Sequence, residues 1–275
     1  MIKTVPIINN KGGVGKTTTA VNLAAGLGKS GKEVLVVDLD SQGSASLALG
    51  VERGELDPSV ATLLFGEKRP DEIIRETPLD GVDVITGSLE LAHTDTRLSG
   101  KEEREERLRQ AISAIEESYD TILIDCAPST SLLTVNALVA ADAFIIPVAP
   151  SYLSLEGVVS LGEVVRKTRM SVGEAAPTLG VAITMVGDED KETQKIKQAL
   201  RDHYGAKVFD TEIGRDPALE EAPTRNESVF DYAPSSTGAE DYRNLVREVT
   251  DRIDRYGAIY DTVNQADRAV EPEGT

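Results

Sequence analysis

One short segment near the amino terminus restricts the fold more than any other feature of the chain. Residues 11–18 read Lys-Gly-Gly-Val-Gly-Lys-Thr-Thr, directly after a strand-length apolar run at 4–9. A glycine-rich turn between a strand and a helix can point backbone N–H groups at a polyphosphate, with a lysine on the outer phosphates and a hydroxyl on Mg²⁺. The predicted phosphate contacts are Lys11, Gly12, Gly13, Val14, Gly15, Lys16, Thr17 and Thr18.

The segment differs from the general nucleotide-binding loop at one position. The general pattern Gly-x-x-x-x-Gly-Lys-Ser/Thr requires glycine at position 10, where this chain has Asn10 followed by Lys11. Lys11 therefore brings a second positive charge beside the phosphates. The helix predicted to begin near Lys16 adds its N-terminal dipole and free N–H groups to anion binding.

Composition and charge limit the class of protein. The 275 residues include a single cysteine, and 47 Asp and Glu outnumber 29 Lys and Arg, which gives a formal net charge of −18. One cysteine excludes an internal disulfide framework and suits a reducing cytoplasm, where we expect the protein to act. No run reaches the ~18 apolar residues of a membrane span, and the start lacks signal-peptide features. The acidity is consistent either with an ordinary acidic enzyme or with adaptation to a salt-rich cytoplasm.

Alternating strand and helix patterns predict the architecture. Near-continuous apolar runs of strand length are typical of a parallel sheet covered on both faces. Between them, the segments 101–118 and 237–256 place apolar residues on one helical stripe. The alternation predicts an α/β fold with a single doubly wound, mostly parallel sheet and helices on both faces. The predicted strands are 4–9, 34–38, 82–86, 121–125, 144–148, 179–186 and 207–209.

Three further parts of the chain complete this outline. The stretch 50–80 is less regular, and we expect short helices there. Residues 1–256 are predicted to form one domain. Residues 257–275 are polar and acidic, and we expect a disordered tail.

Two acidic segments follow predicted strands. Residues 36–42 end as Asp-Leu-Asp-Ser-Gln, and Asp125 closes the apolar run 121–125. Carboxylates at the carboxyl ends of parallel strands face the crevice where open α/β sheets bind ligands. Asp125 suits an acid that supports Mg²⁺ through water, and Asp40 suits the orientation of the attacking water. A helix cap or a plain strand end is the alternative for each aspartate taken alone.

These segments together resemble the ParA/Soj group of the ParA–MinD partition ATPases. The resemblance rests on the loop at 11–18, on Asp-x-Asp-x-Gln at 38–42 and on Ile-Asp-Cys-Ala-Pro-Ser at 124–129. Shorter similarities follow in the same order up to about residue 255, namely Ile-Pro-Val at 146–148, Leu-Glu-Gly at 155–157, Glu-Ala-Pro at 221–223 and Gly-Ala-Glu at 238–240.

The resemblance implies an ATP-dependent dimer with nucleotide sandwiched between subunits. Lys11 would reach phosphate on the partner subunit, Lys16 would act within its own subunit, and Glu156 would contact the partner's nucleotide. Thr17 would hold Mg²⁺, Asp40 would act on the hydrolytic water beside the metal, and Asp125 would act on Mg²⁺ through water. ATP would favour the dimer, and slow hydrolysis, stimulated by a ParB-like adaptor, would release it.

Nonspecific DNA is the partner that the resemblance implies for this switch, which would segregate a plasmid or chromosome on the nucleoid. The chain departs from the family pattern at positions that bear on DNA. Ala218, Ser235 and Thr237 stand where relatives have basic residues, and Gly214 and Asp216 replace Pro and Asn beside the adenine. We therefore expect weakened DNA contacts, and we assign Asp216 as a base contact. The remaining candidate DNA contacts are Arg201, Lys207, Arg215, Arg225, Arg243 and Arg247.

Three alternatives share the nucleotide loop. A MinD-like membrane-cycling ATPase would need a basic amphipathic C-terminal helix, which the acidic tail does not supply. A reductase resembling nitrogenase iron protein would need paired cysteines for a cluster, and Cys126 is the only cysteine. An ATPase that positions a protein assembly would use the same dimer switch, and the sequence separates it poorly from DNA partition. His93 and His203 are isolated, and we expect surface or packing roles for them.

Overall fold

The computed structural model describes residues 3–173, 175–187 and 190–268, except for the side chains of 152–156, 158, 159 and 256–268. It contains one eight-stranded sheet in the order β3-β4-β2-β5-β1-β6-β7-β8. Every pairing is parallel except that between β3 and β4. The strands are β1 Thr4–Ile7, β2 Val34–Leu39, β3 Arg75–Glu76, β4 Val82–Ile85, β5 Thr121–Cys126, β6 Phe144–Val148, β7 Thr178–Val186 and β8 Val208–Gly214.

Helices cover both faces of the sheet. They are α1 Lys16–Lys29, α2 Ser44–Ala48, α3 Val60–Leu64, α4 Thr94–Arg97, α5 Arg107–Ile112, α6 Leu132–Ala140, α7 Tyr152–Val172, α8 Lys191–Tyr204, α9 Pro217–Glu221, α10 Val229–Tyr232 and α11 Thr237–Arg268. Together with the mostly parallel sheet, they confirm the predicted doubly wound α/β class. None of the helices in the described part of the chain combines the length and apolar character needed to cross a membrane.

Alternation along the strands builds the two apolar layers. In β2, Val34 and Val36 join the layer that contains α1 and α11, whereas Leu35 and Val37 join the layer that contains α5, α6 and α8. All six residues of β2 are buried, as expected for a strand with neighbours on both sides and helices on both faces. The carboxyl ends of the central strands are therefore held in place by packing on both faces of the sheet. The candidate site described below lies at this edge.

Two predicted helices have different bounds in the structure. The helix predicted over 101–118 is shortened to α5 and a 3₁₀ turn at Glu116–Ser118. Glu103 has a φ of 52°, a left-handed conformation that an α-helix cannot include. The helix predicted over 237–256 instead continues to Arg268. The predicted domain boundary at 256 therefore falls within a helix, and residues 269–275 of the predicted tail lie outside the described residues.

The irregular stretch at 50–80 contains α3 and two 3₁₀ turns, Arg53–Glu55 and Pro70–Glu72, as predicted. It also contains β3, a two-residue antiparallel edge strand that was not predicted from the sequence. Two polar residues, Arg75 and Glu76, give no apolar pattern by which a strand could be predicted.

The opposite edge strand, β8, is irregular. Its register against β7 shifts, so that Val181 pairs with Val208 but Ile183 pairs with Glu212. Within this shift, Asp210 and Thr211 donate their backbone N–H groups to Glu248 of α11 at 2.9 and 2.7 Å. A side chain from the covering helix thus satisfies N–H groups that an edge strand otherwise leaves open.

Candidate nucleotide site

The glycine-rich loop joins the end of β1 to the start of α1, as predicted. Gly13 and Gly15 have φ values of 69° and 79°, which glycine adopts without steric cost. The Gly15 carbonyl accepts the first helical hydrogen bond from the Thr19 amide at 2.8 Å. Val14 is buried, and its carbonyl accepts a hydrogen bond of 2.9 Å from the Thr184 hydroxyl of β7. The loop is therefore fixed both by its helix and by a strand beneath it.

Lys16 begins α1 and is buried with 7% of its surface exposed. Its Nζ donates to the Lys11 carbonyl at 2.8 Å, so the ammonium group lies inside the loop. Burial lowers the pKa of Lys16, and the nearby Asp125, Cys126 and Asp40 act in the opposite direction. A buried ammonium held by a carbonyl is suited to exchange that partner for phosphate oxygens, which carry more negative charge.

Lys11 extends toward α7. Its Nζ donates to Ser151 Oγ at 2.9 Å, and its backbone N–H donates to Asn9 Oδ1 at 3.0 Å. Asn9 is fully buried and donates to the Pro147 carbonyl at 2.7 Å. The second lysine is thus positioned by the ends of β1 and β6, at the same edge of the sheet as Lys16.

Asp125 lies beside the start of α1. The Thr17 hydroxyl donates to its Oδ2 at 2.7 Å, and its buried Oδ1 has no hydrogen-bond partner among the described residues. Burial, and next the neighbouring Asp38, raise the pKa of Asp125 well above its ordinary value. A buried oxygen without a donor is costly, and a cation or its bound water would remove that cost.

The residues present are suitable for Mg²⁺ bound together with phosphates. Mg²⁺ prefers octahedral oxygen ligands and usually keeps several waters beside one or two protein groups. Thr17 offers a hydroxyl, and Asp125 offers an oxygen for a bound water. Across the described residues there is no cluster of three or more His, Cys, Asp or Glu side chains, so a metal cage made by the protein alone is not found there.

Asp38 organises the turn that carries Asp40. Asp38 is fully buried, its Oδ1 accepts from the Asp40 amide at 3.0 Å, and its Oδ2 accepts from the Ser46 amide and hydroxyl at 2.8 and 2.7 Å. Burial raises the pKa of Asp38 to about 6. Asp38 and Asp125 are register partners on adjacent strands, so two carboxylates share one buried edge. No separate role was predicted for Asp38, although a charged residue inside an apolar strand was the available signal.

Asp40 is partly exposed, and its Oδ1 accepts from the Gln42 amide at 2.9 Å. The structure thus brings Asp40 to the same edge as Asp125 and the lysines. Beside Thr17 and Thr18, a cavity of about 170 Å³ opens between α1, α2 and the segment around Pro223. Space for part of a ligand therefore adjoins the predicted phosphate and metal contacts.

Glu156 and Asp216 are the two predicted nucleotide contacts that the structure does not place in this cluster. The side chain of Glu156 falls outside the described residues, so its predicted contact remains a prediction. Asp216 precedes α9, and its two oxygens accept from the Ala218 and Gly238 amides at 2.9 and 2.8 Å. These hydrogen bonds, first that from Gly238, lower the pKa of Asp216. Its carboxylate joins the starts of α9 and α11, and its predicted adenine contact also remains a prediction.

The chain is similar to known proteins over most of its length. A family model described as an AAA domain matches residues 2–175. The sporulation initiation inhibitor protein Soj of Bacillus subtilis is 39% identical over 249 residues, which cover 90% of this chain and 98% of that protein. The chromosome-partitioning ATPase Soj of Thermus thermophilus is 40% identical over 254 residues, which cover 92% of this chain and 97% of that protein.

A solved structure adds a nucleotide and a metal to the comparison. Cobyrinic acid a,c-diamide synthase from Mycobacterium smegmatis, with bound ADP and magnesium, superimposes with a TM-score of 0.77. It is 28% identical in sequence, and the match covers 90% of this chain and 93% of that chain. The two lysines of the loop, the aspartates that end β2 and β5 and the match to Soj over nearly the whole chain lead to one conclusion: the chain belongs to the Soj/ParA group of the ParA–MinD family of P-loop ATPases.

Proposed function

We propose that this protein is an ATP-dependent partition ATPase whose nucleotide state controls the association of two copies of the chain. The observation that carries the proposal is the placement of Lys11 and Lys16 on one loop beside the hydrogen-bonded pair Thr17–Asp125. One lysine is buried within the loop, whereas the other extends away from it. Two cations with different directions suit two different phosphate contacts.

ATP and Mg²⁺ are the cofactors that these residues are built to hold. Bound Mg²⁺ would neutralise charge that develops on the transferred phosphoryl group. Lys16, which now donates to the Lys11 carbonyl, would hold the outer phosphates, and Thr17 would offer its hydroxyl oxygen to the metal. Asp125 would help to hold the metal through water, since its buried Oδ1 has no hydrogen-bond partner among the described residues. Asp40 orients the attacking water and accepts its proton, while Asp38 holds the turn of Asp40 in place.

Dimerisation supported by Lys11 is the finer part of the proposal. Lys11 extends from the loop toward Ser151 at the start of α7, so its charge lies at the carboxyl edge and away from the buried Lys16. In an ATP-bound pair, Lys11 leaves Ser151 and contacts phosphate on the partner subunit. A ParB-like adaptor stimulates hydrolysis, and loss of the γ-phosphate then removes the contact that favours the dimer.

Nonspecific DNA is the proposed surface on which the switch acts, with fewer contacts than in relatives. Ala218 is buried and offers no charge. Arg201 pairs with Glu212 at 3.0 Å, and Arg215 Nε donates to the Met185 carbonyl at 3.2 Å. Arg243 donates to the Pro234 carbonyl. Because several of these cations already have partners within the chain, we expect few phosphate contacts and weak binding, which salt weakens further.

Size-exclusion chromatography with light scattering tests the proposal. The protein is run with Mg-ATP and with Mg-ADP, as parent and as Asp40→Ala, in low and high KCl. We expect a dimer with ATP, most clearly in the variant that hydrolyses slowly, and a monomer with ADP. A monomer under every condition, in a protein shown by titration to bind Mg-ATP, would overturn the dimer switch but not nucleotide binding. A gel-retardation series with unspecific duplex at the same salts tests DNA separately, and no ATP-dependent shift at either salt would remove DNA as the partner.

A further inference from the structure

Thr184 places a buried hydroxyl directly under the phosphate loop. Only 1% of its surface is exposed, and its Oγ1 donates to the Val14 carbonyl at 2.9 Å across 170 residues of sequence. A Cβ atom added to Gly15 would lie 3.9 Å from both Cβ and Cγ2 of Thr184. The side chain therefore contacts the peptide between Val14 and Gly15 on the side that faces β7.

This contact fixes the orientation of one peptide group. A trans peptide carries its C=O and its N–H on opposite sides. Because Thr184 holds the Val14 carbonyl toward β7, the Gly15 N–H points away from β7. Backbone N–H groups of such loops are the groups that hold phosphates. In this one planar peptide, the Val14 carbonyl thus faces β7 and the Gly15 N–H faces away from it.

Without the threonine, this peptide would be free to turn over. Gly13 and Gly15, which flank Val14, have φ values of 69° and 79°, and glycine populates both signs of φ with little cost. A turned peptide would present a carbonyl oxygen to the phosphates, which repel it. The glycines that make the loop possible therefore also make it easy to distort.

We propose that Thr184 is a positioning residue for the phosphates of a nucleoside di- or triphosphate. Its hydroxyl locks the Val14–Gly15 peptide with the N–H available to a phosphate oxygen. Thr184 acts through the loop and does not itself touch the nucleotide. The proposal rests on the proposed function, since it assigns a role within the same nucleotide site.

The backbone around Thr184 is held in place by its neighbours. Met185 has a φ of 55°, an uncommon conformation for a residue other than glycine. The pairing of β7 with β8 shifts between Ile183 and Val186. Arg215 donates from Nε to the Met185 carbonyl at 3.2 Å and from its backbone N–H to the Val186 carbonyl at 2.9 Å. β7 is thus irregular directly after Thr184, at a point that Arg215 supports, and the hydroxyl lies at a defined position.

The test compares Thr184→Val with Thr184→Ser by calorimetric titration of Mg-ADP and by thermal melting without nucleotide. ADP is used because it binds one subunit and keeps dimerisation out of the measurement. Thr168→Val is the matched control, because Thr168 is also buried and donates to a carbonyl, that of Val164 in α7, at 2.9 Å. Thr184→Ala is a second variant for the case that the valine variant does not fold, because it removes the hydroxyl that donates to the Val14 carbonyl without placing a methyl group in its position.

We expect Thr184→Val to raise the Kd for Mg-ADP about 10-fold, the equivalent of one buried hydrogen bond. Thr184→Ser should restore the parent's affinity, and Thr168→Val should lower the melting temperature without changing the Kd. Equal Kd values for the parent and Thr184→Val, or for the parent and Thr184→Ala if the valine variant does not fold, would overturn the positioning role. So would an equal loss of affinity in Thr184→Ser and Thr184→Val. Failure of the parent itself to bind Mg-ADP would contradict the proposed function, which is a different result.

Discussion

The Asp40 amide donates a 3.0 Å hydrogen bond to Oδ1 of Asp38, so a fully buried carboxylate holds the turn that carries a partly exposed one. The two aspartates are separated by one residue and have different tasks. Asp38 is occupied by three donors, from Asp40 and Ser46, whereas Asp40 lies where a water could reach it. Of the two, only Asp40 is available for chemistry.

Asp40→Ala should therefore stop turnover without preventing ATP binding. Loss of a group that orients water and accepts its proton slows hydrolysis by at least about 100-fold, and the ATP-bound dimer should accumulate. Release of phosphate and light scattering, measured on the same sample, check both expectations. Gln42→Ala is the control, because the backbone N–H that Gln42 donates to Asp40 survives the substitution. Rapid hydrolysis by Asp40→Ala would assign the water to another residue.

Lys16→Ala should strongly weaken nucleotide binding in the monomer. Hydrogen bonds to charged groups contribute about 1.5–3 kcal/mol, so loss of the cis charge should weaken Mg-ADP binding by about 10- to 100-fold. Calorimetric titration measures the change. Lys29→Ala, at the opposite end of the same helix, controls for the general effect of removing a lysine. An affinity close to the parent's would show that the phosphates lie elsewhere.

Lys11→Ala should separate binding from association. Because Lys11 extends toward Ser151 and not into the loop, the variant should bind Mg-ADP nearly as well as the parent does. Its ATP-dependent dimer and its hydrolysis should both be impaired. Light scattering with ATP and titration with ADP give the two readouts. A variant that still dimerises and hydrolyses ATP like the parent would contradict the assignment of Lys11 to the partner's phosphate.

Asp38 should make the nucleotide-free protein less stable as pH rises through the weakly acidic range. Burial raises its pKa from 3.8 to about 6, so between these values the folded state binds more protons than the unfolded state does. Stability from this group is present below pH 3.8 and is lost as pH rises toward 6. The charge of Asp38 also raises the pKa of Asp125. A raised pKa of Asp125 likewise makes the folded state less stable as pH rises.

Urea unfolding of the parent and of Asp38→Asn from about pH 4 to about pH 7 isolates this contribution. The free energy of unfolding of the parent should decline relative to that of the variant up to about pH 6 and then change in parallel with it. The parent and the variant have all other titrating groups in common. The difference between their free energies of unfolding therefore reports the titration of Asp38 and its effect on Asp125. A difference that stays constant with pH would show that Asp38 is ionised at its ordinary pKa.

Asp216→Ala should distinguish a structural role from a base contact. Loss of the carboxylate removes the cap of α9 and the hydrogen bond to Gly238, and one cap contributes about 1 kcal/mol. We expect a fall of about 2–4 °C in melting temperature. If Asp216 also contacts adenine, affinity for Mg-ATP should fall while affinity for inorganic triphosphate does not. If the variant binds Mg-ATP and inorganic triphosphate each as tightly as the parent does, Asp216 acts only as a helix cap.

Local patterns predicted much of the fold. Six of the seven predicted strands lie close to their observed bounds, because buried parallel strands are apolar throughout and end in turn residues. The strand predicted at 207–209 continues to Gly214, because Asp210, Thr211 and Glu212 hide its apolar pattern. The run of charged residues at 102–106 is also typical of an exposed helical face. No sequence pattern therefore predicted the left-handed conformation of Glu103.

The candidate site was predictable where residues adjacent in sequence act together, as in the loop at 11–18. Contacts between distant segments were not. Thr184 and Val14 are 170 residues apart, and Lys11 and Ser151 are 140 apart. Only the order of strands in the sheet brings them together. A threonine within the apolar run of β7 was a visible anomaly, but its partner depends on the fold.

The contact of Glu248 with the bulged strand β8 has a consequence for assembly. The N–H groups of Asp210 and Thr211 already have an acceptor, so at these positions the sheet cannot extend by adding a strand from a second molecule. Strand addition would join two copies whether or not nucleotide is bound. In a protein whose association is proposed to follow ATP, covering this edge suppresses a form of self-association that hydrolysis could not reverse.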